Sequence, residues 1–190
     1  MQVALPVFIF LIGLACIVGW ALEISPLYRV LDEWVTMKPV TAVAMSVAGL
    51  GLMFHAREMV RKSIECVLAA LFSYMVVTYF LGASEIVASI DDARLTPKLG
   101  VPSLATMIEV GLCTLGLVSM RPLWWHLVGI VAAVPLAGYT IALCGGDAVW
   151  LMYYADPWST AMAFPTAVSF TLAGAVGVRL SRQTIAIADA

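Results

Sequence analysis

Long apolar runs separated by short polar links dominate the chain of 190 residues. Six runs can be drawn, at 3–22, 39–56, 66–82, 101–120, 123–144 and 161–180, each near the roughly 20 residues that a bilayer core demands. No alternation of apolar and polar residues with the period of a half-buried strand interrupts them. The pattern predicts an all-α integral membrane protein with six transmembrane helices in a single membrane domain, residues 1–190. The first run has no basic segment before it and is long enough to span by itself, so it reads as a helix and not as a signal peptide. Arg61 and Lys62 stand just before the short third run, where their long side chains could snorkel to the headgroups.

The runs are related to one another. Thr41-Ala42-Val43-Ala44-Met45-Ser46-Val47-Ala48-Gly49 returns as Thr166-Ala167-Val168-Ser169-Phe170-Thr171-Leu172-Ala173-Gly174, with a looser copy running from Ser103 to Gly111. The leading hydroxyls stand 62 and 63 residues apart. In each copy Met or Phe follows the hydroxyl by four residues and Gly follows by four more, which aligns all three on one helix face. The period divides the chain into three pseudo-repeated helical hairpins, about 3–56, 66–120 and 123–180. Small residues on the returning helices (Ala44, Ala48, Gly111, Gly174, Gly177) predict that these helices form the inner packing surfaces.

The links on one side share a design. Ser25-Pro26 reads as an N-cap followed by Pro at the first helical position, and Leu27, Val30, Leu31, Trp34 and Val35 recur at helical spacing. This predicts a short interfacial helix over 26–36, with Leu27, Leu31 and Trp34 facing hydrocarbon or the bundle. Ser84 starts a weaker version with Ile86, Val87 and Ile90. Asp147 starts a third with Trp150, Leu151, Tyr153 and Tyr154.

The repeated Thr-Ala-aliphatic-x-Phe-x-Leu-x-Gly segment resembles one found in the N-terminal multi-pass membrane sensor domains of bacterial sensor histidine kinases and diguanylate cyclases. Met162-Ala163-Phe164-Pro165-Thr166-Ala167-Val168-Ser169-Phe170 carries it most closely, and Tyr79-Phe80-Leu81-Gly82 is similar to the joint before those repeats. The resemblance implies a sensory input domain and supplies no catalytic residue. Those proteins continue into PAS, kinase or cyclase domains. Only eight residues follow Arg182 here, so the expectation is an input module without an effector domain.

Composition sharpens the membrane assignment: 63% of residues are hydrophobic and only 12% charged, with a mean hydropathy of +1.00. A typical soluble domain is about 25% charged. The net charge of −2 and the lack of a basic stripe exclude a nucleic-acid partner. Arg57, Arg61, Lys62, Arg121, Arg179 and Arg182 fall on one side of the spans. Arg29, Lys38, Arg94 and Lys98 fall on the other, with Glu23, Asp32, Glu33, Glu85, Asp91, Asp92, Asp147 and Asp156. By the positive-inside rule both termini are expected to be cytoplasmic, and the resemblance implies the bacterial inner membrane.

Few residues can carry chemistry. Glu109 is the sole ionisable residue well inside a predicted span, and intramembrane carboxylates are costly enough to be functional-site candidates. It is expected to face the bundle interior. There it acts either structurally, as a protonated carboxyl bonded to Thr106 or to another helix's hydroxyl, or as a ligand, cation or proton contact. Thr41, Ser103 and Thr166 open the returning helices, where they cap amides or line a shallow pocket. His55 and His126 could ligate a haem iron, yet interfacial histidines need no metal, and no cofactor is expected. Cys16, Cys66, Cys113 and Cys144 lie singly in apolar runs, without metal-ligand spacing, as small buried side chains. No nucleophile elbow, P-loop or metalloprotease signature is present, so the chain is not expected to be an enzyme. The leading expectation is a non-enzymatic sensory or signal-transducing membrane module acting through another membrane protein or a second copy of itself. The alternative is an accessory or structural subunit of a larger membrane complex, holding lipid, quinone or haem. A transporter or pore is weaker, because broken helices and paired intramembrane charges are missing from the pattern.

Overall fold

With no water to bond exposed amides, an apolar run satisfies its backbone internally, and each of the six runs forms a helix. The computed structural model describes residues 3–30, 34–82, 101–146 and 162–188. The helices are α1 (Ala4–Ala21), α2 (Pro39–Met53), α3 (Glu58–Leu81), α4 (Leu104–Ser119), α5 (Pro122–Leu143) and α6 (Phe164–Ala188), with no strand among the described residues. Three of them, α1, α3 and α5, are long and apolar enough to cross a membrane, and α2 and α4 are shorter apolar helices. We call the end where α2, α4 and α6 begin distal, and the end where α1 begins and α6 finishes basal.

The helices have two kinds of position. α2, α4 and α6 each touch the other two and form an inner group. α1 packs against α2 and α6, α3 against α2 and α4, and α5 against α4 and α6. The outward faces of these outer helices carry large apolar side chains such as Phe8, Leu11, Val77, Phe80 and Ile130, as a hydrocarbon solvent requires.

Neighbours in sequence run antiparallel at close range. A Cβ on Gly13 of α1 would collide with Ala42 and Ser46 of α2, and one on Gly49 would lie 2.7 Å from the Phe10 amide nitrogen. Between α5 and α6, a Cβ on Gly174 would stand 2.5 Å from the Gly129 nitrogen. Between α3 and α4, Gly111 faces the Phe72 ring, where a Cβ would be 3.1 Å away. The glycine that closes each copy of the repeated segment thus meets the helix that precedes its own.

Some boundaries differ from those expected. α3 begins at Glu58, eight residues before the apolar run, because Lys62–Glu58 and Arg61–Glu65 ion pairs at 2.6 and 3.0 Å support a polar first turn. Arg61 does not snorkel freely, since it also donates to the Leu117 carbonyl near the end of α4. α6 continues past 180 to Ala188. The helix expected over 26–36 is not seen among the described residues of that stretch: a 3-10 turn covers only Ser25–Leu27, and residues 35–38 are non-helical and buried. Tertiary contacts override the amphipathic period there. Met37 N–H donates to the Tyr28 carbonyl at 2.9 Å, Trp20 Nε1 donates to the Met37 carbonyl at 2.7 Å, and Lys38 is extended, as a residue before Pro39 tends to be. The interfacial helices expected from Ser84 and Asp147 lie outside the described residues.

Candidate functional site

Buried polar side chains concentrate at one end. Thr36, Lys38 and Thr41 lie at or before the start of α2. Ser103, Thr106 and Glu109 occupy the first turns of α4, and Thr166 and Ser169 those of α6, all buried. The backbone entering each inner helix is buried and non-helical too, at 35–38, 101–103 and 162–163. Buried backbone outside a helix must find other partners for its polar groups, and here the bundle encloses three such segments. Trp34, Tyr139 and Phe164, with ring centroids 4.5–5.4 Å apart, join the first of these segments to the third, and Tyr139 Oη donates to the Met162 carbonyl at 2.8 Å.

The three hydroxyls that open the repeated segments are all buried, but they do not share a role. Ser103 is the N-cap of α4: its Oγ accepts from the Thr106 amide at 3.1 Å and pairs with Thr106 Oγ1 at 2.7 Å. Thr41 and Thr166 do not cap. Pro39 takes the first helical position of α2, which makes Lys38 the N-cap, without a side-chain bond, and puts Thr41 inside the helix. α6 already begins at Phe164, so Thr166 also lies within its first turn, and its Oγ1 has no hydrogen-bond partner among the described residues.

Glu109 faces the bundle interior and is 0% exposed. The hydrogen bond expected to Thr106 is not formed; that hydroxyl pairs with Ser103 Oγ. Neither carboxyl oxygen of Glu109 has a hydrogen-bond partner among the described residues, and the same holds for Ser169 Oγ. An unpartnered buried polar group costs roughly 1–3 kcal/mol, so a native bundle retains such a cluster when something else completes it.

The placement of Glu109 follows from helix geometry. It lies one turn below Ala105 on the same side of α4, and Ala105 packs with Met162 and Ala167 of the α6 start and with Leu136 of α5. Glu109 is therefore on the side of α4 turned toward α5 and α6. Its Cα–Cβ bond tilts back toward the distal end. Pro135 is buried inside α5 one residue before Leu136, where it removes an amide from the helical ladder.

Sequence reasoning missed two members of this region. Lys38, only 3% exposed and engaged by another group, reads in sequence as an ordinary link cation before a span. Ser169 occupies the position of Thr106 in the repeat, a correspondence that could have revealed it. The remaining candidates disperse. His55 sits in the α2–α3 turn with Nδ1 3.0 Å from the Leu52 carbonyl, His126 is exposed on α5, and α2 and α5 do not pack together. Cys16 and Cys113 are buried as expected, whereas Cys66 and Cys144 are exposed.

Surface concavities lie at the basal end and between helices. A polar cleft of about 360 Å³ at the basal end is lined by His55, Glu58, Arg61, Met120, Gln183 and Thr184. A wholly apolar groove of about 350 Å³ between α3 and α4 is lined by Phe72, Tyr79, Phe80, Leu104 and Ile108, among others. Comparison of the chain with protein-family models, with curated proteins and with solved structures yields no match.

Proposed function

We propose that the chain is a non-enzymatic sensory or signal-transducing membrane module that acts through a partner chain, with the distal polar cluster around Glu109 as its input site. In this reading six helices span the bacterial inner membrane as three pseudo-repeated hairpins, with both termini cytoplasmic. The observation that carries it is the Glu109 carboxyl, fully buried with neither oxygen hydrogen-bonded among the described residues. A purely structural bundle gains nothing from such a cluster, since apolar residues of equal volume would pack there at lower cost. A site that responds to a ligand needs groups whose bonding is incomplete without it. The glycine contacts of Gly49, Gly111 and Gly174, each with the preceding helix, support the repeat.

Glu109→Gln tests the input role, because it keeps shape and hydrogen bonding while removing the charge. The variant should fold with a thermal midpoint close to wild type and still capture its partner in mild detergent, yet leave the partner unresponsive. Unchanged partner activity would return Glu109 to a structural role. Orientation is checked with a membrane-impermeant thiol reagent: native Cys144, exposed at the distal end, should label from the periplasmic side, and Gln183→Cys from the cytoplasmic side. Labelling of both from one side would overturn the topology.

The apolar groove between α3 and α4 favours a second reading, an accessory subunit of a larger membrane complex that holds a lipid or quinone. Purification separates the two. A complex of fixed stoichiometry containing such a molecule favours the subunit.

A further inference from the structure

We infer that the outward face of α6 at the basal end binds the headgroup of an anionic phospholipid, with Arg179 and Arg182 holding its phosphate. This stands apart from the distal input site and rests only on the reading of the basal end as a membrane surface. A concavity of about 360 Å³ lies along α6, lined by Ala175, Val178, Arg179, Arg182, Gln183 and Ala186. These positions recur at the three- and four-residue steps of one helix face. The bundle uses the opposite face: Val176, Leu180 and Ser181 are buried, and Gly177 meets Trp125. The concave face is therefore turned outward, with Ala175, Arg179 and Arg182 exposed.

Both arginines are uncommitted. Neither guanidinium has an ion pair or hydrogen bond among the described residues, whereas Arg61 and Lys62 pair with Glu65 and Glu58, and Arg57 lies over the Phe54 ring. The described lining holds no carboxylate, so an anion is what complements the two charges. Arginine presents a planar fork that binds phosphate in bidentate fashion, and two forks three residues apart can share one phosphate. The rest of the lining decides between a lipid and a soluble anion. Ala175 lies about 10 Å from Arg182 along the axis, at 1.5 Å per residue. Over that distance the face passes from apolar, at Ala175 and Val178, to cationic. A phospholipid carries its groups in that order, and a free phosphate offers nothing to the apolar half. Anionic lipids of the cytoplasmic leaflet attract basic groups placed near the surface. Positive-inside bias alone would put cations at this depth on any side of the helix. Their position on one face, above a depression left by a small side chain, is what makes a site.

The test is electron paramagnetic resonance of the full chain in phosphatidylcholine vesicles doped with spin-labelled phosphatidylglycerol or spin-labelled phosphatidylcholine. The fraction of label immobilised at the protein gives the preference for the anionic headgroup. Wild type should hold phosphatidylglycerol more strongly, and the preference should fall about fivefold for each of Arg179→Gln and Arg182→Gln. Arg57→Gln combined with Arg121→Gln removes the same charge from the same end and should leave most of the preference in place. Ala175→Phe fills the depression without changing charge and should lower it. Equal losses in the two arginine pairs would mean a diffuse attraction to the basal surface and overturn the inference. So would equal retention of both lipids by wild type. Displacement of the label by glycerol phosphate in solution would make the ligand a free anion and overturn it too. If the Arg179→Gln, Arg182→Gln variant keeps its lipid preference but no longer captures the partner chain, the face belongs to an acidic protein surface instead. Both leaflets carry the same lipids, so failure here leaves the orientation to thiol labelling, and the input reading to the partner's response to Glu109→Gln.

Discussion

The two ends of the inner helix group are built on opposite principles. At the basal end the fit is steric. Trp125, 1% exposed and with its Nε1 also unpartnered among the described residues, is wedged between Gly116 of α4 and Gly177 of α6, and Gly51 of α2 admits Leu117 and Ile64. The buried basal hydroxyl, Ser181, bonds its own helix at the Gly177 carbonyl. At the distal end the same three helices bury Glu109, Lys38 and six hydroxyl side chains, several without partners, and enter through non-helical backbone. Lipid gives helices no hydrophobic reason to associate, so tight small-residue packing supplies the adhesion. Close glycine contacts also reach the distal half, where Gly13 meets Ala42 and Ser46, and there they coexist with buried polar groups that weaken packing but could bind something. Division of labour along the helix axis is the lesson of the contrast.

Substitutions can break it. Gly177→Ala should have the largest effect, about 3 kcal/mol of destabilisation, because the added methyl falls on the Trp125 indole. Adding Trp125→Leu should relieve that clash, so that the two losses fall short of additivity by about 1–2 kcal/mol in a thermal-unfolding cycle. Full additivity would mean that the basal end is not held by this fit. Gly174→Ala meets backbone that cannot yield, and should cost about 2 kcal/mol. Gly111→Ala meets the edge of the Phe72 ring, which can rotate aside, and should cost less than about 1 kcal/mol. A reversed order for these two would show that α3–α4 is the tighter pair. Glu109→Gln, in the distal half, should move the midpoint least of all.

Much of this was legible in the sequence, and the exceptions have physical causes. The apolar runs located six helices because hydropathy reports what cannot remain in water. Glu109 stood out because a carboxylate amid Met107, Val110 and Leu112 has no ordinary reason to be there. The polar first turn of α3 was invisible to hydropathy, since Arg61–Glu65 and Lys62–Glu58 stabilise it by pairing and not by burial. The helix expected over 26–36 failed for the converse reason. Its period was genuine, but Trp34 is drawn to Tyr139 and Phe164, on helices more than a hundred residues away in sequence. The shared role expected of Thr41, Ser103 and Thr166 failed because the prolines sit at different offsets from each helix start, which local sequence similarity conceals.

Hydrogen–deuterium exchange of the full chain in nanodiscs tests the division between the two ends most directly. The account predicts slow exchange at 112–119 and 172–180, unchanged by Glu109→Gln. It predicts faster exchange at 101–109 and 162–170 that slows when the distal site is occupied and loses that response in Glu109→Gln. Equal protection along α4 and α6, or a distal response that survives Glu109→Gln, would contradict it.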